Sequence, residues 1–141
     1  EVVPRGGVAS ALVRAARGAL FGDVDGDGGV DVLVVNRDAP VHLLRNVVAA
    51  KGQWLGLRVL ERGGGAALGA TVFVDLARGR ERYEVASAFS YQSASDPCVH
   101  VGLGAEREVP ALMVRWVDGA EERFGPLAAG QVHELRRGTG R

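Results

Sequence analysis

Asp23, Asp25, Asp27 and Asp31 crowd into the run Gly22-Asp-Val-Asp-Gly-Asp-Gly-Gly-Val-Asp31, and their type and spacing give this chain its clearest chemistry. Carboxylates packed this tightly repel one another, and a counter-ion relieves the repulsion directly. Calcium takes about six to eight oxygen ligands, so side-chain oxygens from Asp23, Asp25, Asp27 and Asp31, with a backbone carbonyl from Gly29, would build its shell. Gly26, Gly28 and Gly29 allow the positive φ values that such tight winding needs. The competing reading is a solvated Asp-Gly turn of an ordinary hairpin.

The residues after the aspartates decide the type of loop. An EF-hand needs a bidentate Glu at its twelfth position and a helix after it. Counted from Asp23, that position is Val34, inside the β-branched run Val30-Asp-Val-Leu-Val-Val-Asn36, which reads as a half-buried strand. The expectation is therefore a strand, an Asp loop and a second strand.

Other chemistries are weaker. His42, His100 and His133 can be paired on paper with Ser90, Ser93, Ser95 and Asp96, but no Gly-x-Ser-x-Gly elbow marks a nucleophile. The chain is read as non-enzymatic. Cys98 and His100 alternate along a strand and could ligate zinc, yet no second Cys or His pair stands at finger spacing, so core packing is the expectation for Cys98. The run Ser90-Tyr-Gln-Ser-Ala-Ser-Asp-Pro97 reads as a structured turn whose hydroxyls and carboxylate satisfy backbone groups. Gly63-Gly-Gly-Ala-Ala-Leu-Gly69 misses the dinucleotide fingerprint, with Leu68 where a Gly belongs. Trp54, Trp116 and Tyr91 read as core or sheet anchors.

The elements that position these residues come from alternation and turn signals. Strands are expected at Ala19–Gly22, Val30–Asn36 and Val41–Asn46, then at Trp54–Leu60, Ala70–Leu76, Arg82–Ser87, Cys98–Val101, Ala111–Val117, Glu121–Phe124 and Val132–Arg136. Leu55, Leu57 and Val59 share one face of their strand, and Val72, Val74 and Leu76 share one face of theirs. Turns at Arg78-Gly-Arg80 and Val117-Asp-Gly-Ala120 predict antiparallel neighbours. The fold class is all-β: a blade-like hairpin unit packed on an antiparallel β-sandwich or barrel. Three segments are expected: a lead-in or linker over 1–17, with Val8–Arg17 either a short helix or extended, a calcium-binding unit over 18–50, and a β-domain over 51–141.

At 141 residues with 47% hydrophobic content the chain can bury a core, and its 17 basic and 17 acidic residues cancel. That balance argues against nucleic acid or an anionic membrane as partner. The single Cys98 forms no internal disulfide. No stretch reaches the roughly 18 apolar residues of a membrane span. The chain opens at Glu1 without a signal-peptide pattern, as a processed product or a piece of a longer chain would.

The run Phe21-Gly-Asp-Val-Asp-Gly-Asp-Gly-Gly-Val-Asp-Val-Leu-Val-Val-Asn36 resembles the FG-GAP (VCBS) repeat, the calcium-binding unit of integrin-type propeller blades. Leu68-Gly-Ala-Thr-Val72, Ser90-Tyr-Gln-Ser-Ala-Ser-Asp96, His100-Val-Gly-Leu-Gly104 and Val114-Arg-Trp-Val-Asp-Gly119 together are similar to the ASPIC/UnbV domain. That domain comes after FG-GAP repeats in cartilage acidic protein and in secreted bacterial proteins, so the two resemblances support each other. Gly63-Gly-Gly-Ala-Ala67 departs from the polar stretch usual there, and no role is carried over to it.

The resemblance implies a calcium-stabilised, extracellular or cell-envelope module for protein or glycan interaction. Self-assembly through unpaired blade edges is the stronger form of the same idea. The UnbV association with enediyne biosynthesis implies the alternative, a protein that binds or processes a small hydrophobic metabolite. A preformed apolar pocket with convergent polar groups discriminates in favour of the alternative.

Overall fold

The computed structural model describes residues 15–48 and 52–141, and the described chain is all-β, without a helix. A first sheet carries β1 (Ala16–Gly22), β2 (Asp31–Asn36) and β3 (His42–Leu44) in antiparallel order. The second has the order β10-β9-β5-β6, from β5 (Thr71–Leu76), β6 (Gly79–Glu84), β9 (Leu112–Arg115) and β10 (Glu121–Phe124). The third is β12-β4-β7, from β4 (Gln53–Leu60), β7 (Val99–Gly104) and β12 (Gln131–Arg136). A short ribbon joins β8 (Glu108–Val109) to β11 (Leu127–Ala128). The lead-in expected over residues 1–17 falls largely outside the described residues.

Alternation builds the core as the sequence predicts. Leu55, Leu57 and Val59 of β4 are at most 1% exposed, and Val72 and Val74 of β5 are fully buried, with Leu76 at their edge. Val99, Val101 and Leu103 of β7 join Leu112 and Val114 of β9 and Leu135 of β12 in the same cluster, closed by Trp116. Each such Leu or Val contributes roughly 1.5–3 kcal/mol by leaving water. The sheets stay open and no barrel closes, so the architecture is a sandwich.

Three details depart from the sequence expectations. β12 runs parallel to β4, with Gln131 opposite Leu55 and Arg136 opposite Leu60. Alternation fixes which face of a strand is apolar but carries nothing about its direction, and a parallel neighbour arrives only through a long crossover. The strand expected at Arg82–Ser87 lies earlier, because Ala77 and Arg78 form the hairpin loop and Gly79 already pairs with Leu76. β8 and β11 are too short to show any periodicity.

The hairpin sheet is held on the sandwich by the polar turn after β6. Ser90 Oγ accepts the N–H of Ala19 (3.2 Å) and Ser95 Oγ that of Phe21 (3.1 Å), while Asp96 accepts the N–H of Cys98 (3.1 Å). The structural reading of Ser90–Pro97 therefore holds, with the addition that its hydroxyls serve the edge of another sheet.

Candidate functional site

The loop between β1 and β2 winds around Asp23. Its Oδ1 accepts the N–H groups of Gly26 (2.8 Å) and Asp27 (3.1 Å), and its Oδ2 that of Gly28 (2.8 Å). Asp27 Oδ1 accepts the N–H of Gly29 at 2.8 Å. This winding gathers carboxylate oxygens of Asp23, Asp25 and Asp27 within 4.8 Å of one another. Oxygens across a calcium ion stand about 5 Å apart, twice the metal–oxygen bond, so the all-oxygen donor set fits that ion in chemistry and span. Asp23 is half-buried and Asp25 and Asp27 are exposed, which leaves the group open to solvent on one side.

Asp31 and Gly29 are placed differently from the three. Asp31, 2% exposed, accepts the N–H of Val24 through Oδ2 (3.0 Å) and that of Asn46 through Oδ1 (2.7 Å). It stands outside the cluster and ties the start of the loop to the segment after β3. Gly29 is buried behind the loop, its N–H spent on Asp27. Sequence reasoning missed Arg45, which ion-pairs with Asp25; that hydrogen bond, with the charges of Asp25, Asp31 and Asp27, holds its guanidinium firmly protonated.

Behind the loop, His100 Nε2 lies 2.8 Å from the Gly28 carbonyl oxygen. A carbonyl only accepts, so the bond fixes the tautomer with the proton on Nε2. The Trp54 ring lies parallel to that imidazole, with centroids 5.3 Å apart and planes 6° from coincidence. Trp54 is thus half-buried between loop and sheet rather than in the core. Trp116 is the core anchor expected, 2% exposed, whereas Tyr91 projects at 64% exposure from the turn between β6 and β7.

The seam between loop and sandwich opens into a cleft of about 490 Å³, with Phe21, Asp23, Trp54, Arg58, Asp96 and His100 in its walls. Cys98 also lines it and is half-buried, which corrects the expectation of core packing. Alternation explains the difference: Val99 turns inward at 5% exposure, so its neighbours Cys98 and His100 face the other side. Burial, and secondarily the Asp96 charge, pushes the Cys98 thiol up, so it is protonated at neutral pH and a poor nucleophile.

The catalytic pairings weighed from sequence do not assemble. His42 Nδ1 is 3.0 Å from the Asn36 amide nitrogen, and His133 Nε2 donates to the Ala128 carbonyl at 2.9 Å. With His100 held by Gly28, each imidazole is bonded to something other than a serine. Among the described residues, the Asp23, Asp25 and Asp27 cluster has metal-ligand geometry, and neither Cys98 nor His100 joins such a group.

A family model, ASPIC and UnbV, matches residues 61–141, which takes in β5 through β12. None of the curated proteins matches the chain.

Proposed function

The chain belongs to the ASPIC and UnbV family, and from that premise we propose that it is a calcium-stabilised, non-enzymatic interaction module of an extracellular or cell-envelope protein. The family is of extracellular type. The observation that carries the reading is the cluster of Asp23, Asp25 and Asp27 oxygens at the tip of a hairpin whose other contacts dock it on the sandwich. We assign residues 18–50 as an FG-GAP-like unit and 51–141 as the second β-domain. Calcium acts structurally here: without it, the three carboxylates repel and the hairpin loosens. The partner is a protein, a glycan or a second copy, since the balanced charge gives no field for nucleic acid. Among the described residues, no helix is long and apolar enough to cross a membrane.

Calorimetric titration with calcium and thermal melting in calcium and in EDTA test the proposal. One calcium ion should bind, and at about one hundred times Kd it should add about 2.7 kcal/mol to stability. Asp25→Ala and Asp27→Ala should each abolish that gain. An identical melting curve in EDTA would overturn the proposal.

The cleft supports a second reading, a module that binds a small hydrophobic metabolite. A concavity of this size with apolar walls and a few converging polar groups is the usual form of a ligand site.

A further inference from the structure

We propose that the cleft between the Asp loop and the β4–β7 face selects flat apolar molecules that carry an anionic group, with Arg58 as the residue that reads the charge. The inference rests on the second reading above and adds the chemical class of the ligand. Phe21, Phe89 and Val132, respectively 43%, 60% and 48% exposed, all line this one cleft. Exposed apolar side chains scattered singly are ordinary, but several converging on one concavity mark a binding surface. The parallel Trp54 and His100 rings add a flat wall suited to a planar ligand.

The charged groups around that apolar space are not equally available. Both oxygens of Asp23 accept backbone N–H groups of the loop, from Gly26, Asp27 and Gly28. Asp96 Oδ1 is engaged by the Cys98 N–H. The Nε2 proton of His100 is committed to the Gly28 carbonyl, and the Cys98 thiol is neutral. Arg58, exposed at the cleft wall, forms no ion pair among the described residues, its side chain lying against the neutral Cys98 thiol. Asp23 belongs to the aspartate loop, where the proposed calcium ion balances its charge, and the Arg58 guanidinium repels a second cation. An arriving sulfonate or carboxylate meets a planar fork of donors with no carboxylate on it, the geometry for bidentate recognition.

The matched probes 8-anilinonaphthalene-1-sulfonate and N-phenyl-1-naphthylamine differ by the sulfonate alone. Titrated into the full chain, the sulfonate should bind at one site at least about tenfold more tightly than the neutral probe, with energy transfer from Trp54. Arg58→Gln should remove that advantage and leave the neutral probe unchanged, in a protein that melts where the wild type does. Saturating sulfonate should also slow alkylation of Cys98 by N-ethylmaleimide, which localises the probe to the cleft. Equal binding of both probes, an unaltered sulfonate affinity in Arg58→Gln, or an unprotected Cys98 would overturn the charge selection while leaving the small-ligand reading intact. Failure of both probes to bind would remove the two together.

Discussion

Gly28 concentrates the demands of the site in one residue. Its N–H holds Asp23, its carbonyl takes the His100 proton, and its backbone sits at φ +84° with Trp54 pressed against it. A Cβ there would lie 2.1 Å from the indole nitrogen, so the ring would have to leave its stack on His100. Gly28→Ala should therefore cost about 1–3 kcal/mol of stability, from left-handed strain and lost packing. The same variant should weaken calcium, because the loop no longer presents Asp23. Thermal melting and calcium calorimetry on the one protein check both, and a variant that melts and binds like the wild type would show that the loop does not depend on this contact. The aspartate spacing made the Asp23, Asp25 and Asp27 cluster legible, since crowded carboxylates announce themselves. The separate role of Asp31 was not legible, because the N–H groups of Val24 and Asn46 reach it only once β3 has folded back.

Between elements, the outer edge of β1 decides how the hairpin sheet meets other chains. An incomplete blade would leave its strand edges open to a second copy. The structure covers one of them: the outward N–H groups of Ala19 and Phe21 are taken by the Ser90 and Ser95 hydroxyls. Unpaired edge groups invite pairing, and side-chain acceptors are one way to blunt them. The short β3, His42–Leu44, remains at the other edge of that sheet. The double variant Ser90→Ala, Ser95→Ala should lose about 1 kcal/mol per hydrogen bond and associate more strongly than the wild type at equal concentration. Light scattering across a concentration series reads this, and an unchanged mass would mean that the serines do not guard the edge. At this scale the sequence was informative about faces and silent about neighbours. Leu55, Leu57 and Val59 were assigned one side of their strand correctly, but the parallel strand at its edge, Gln131–Arg136, rests on a crossover that no local pattern records.

Across the whole molecule, burial is unevenly shared. The hydrophobic cluster runs from Leu55 to Leu135 and draws no residue from β1, β2 or β3. The hairpin sheet is secured instead by its own ladder, two serine hydroxyls and the His100 and Trp54 contacts at Gly28. A unit tied by a few half-exposed polar contacts opens at lower free energy than one closed by a dry core. Native-state hydrogen exchange should accordingly show two classes of amide. Those of β4, β5 and β9 should exchange through global unfolding, and those of β1 and β2 through a cheaper local opening. Calcium at about one hundred times Kd binds only the closed hairpin, so it should slow the β1 and β2 amides by about a hundredfold. The core amides should slow by the same factor, because global unfolding opens the hairpin as well. If β1 and β2 already exchange at the rate of β4 without calcium, the chain is one cooperative unit and the ion is not its fastening. If they exchange fast and calcium leaves them so, the aspartate loop is a solvated turn, and the cleft beside it becomes the part of the molecule on which function must be sought.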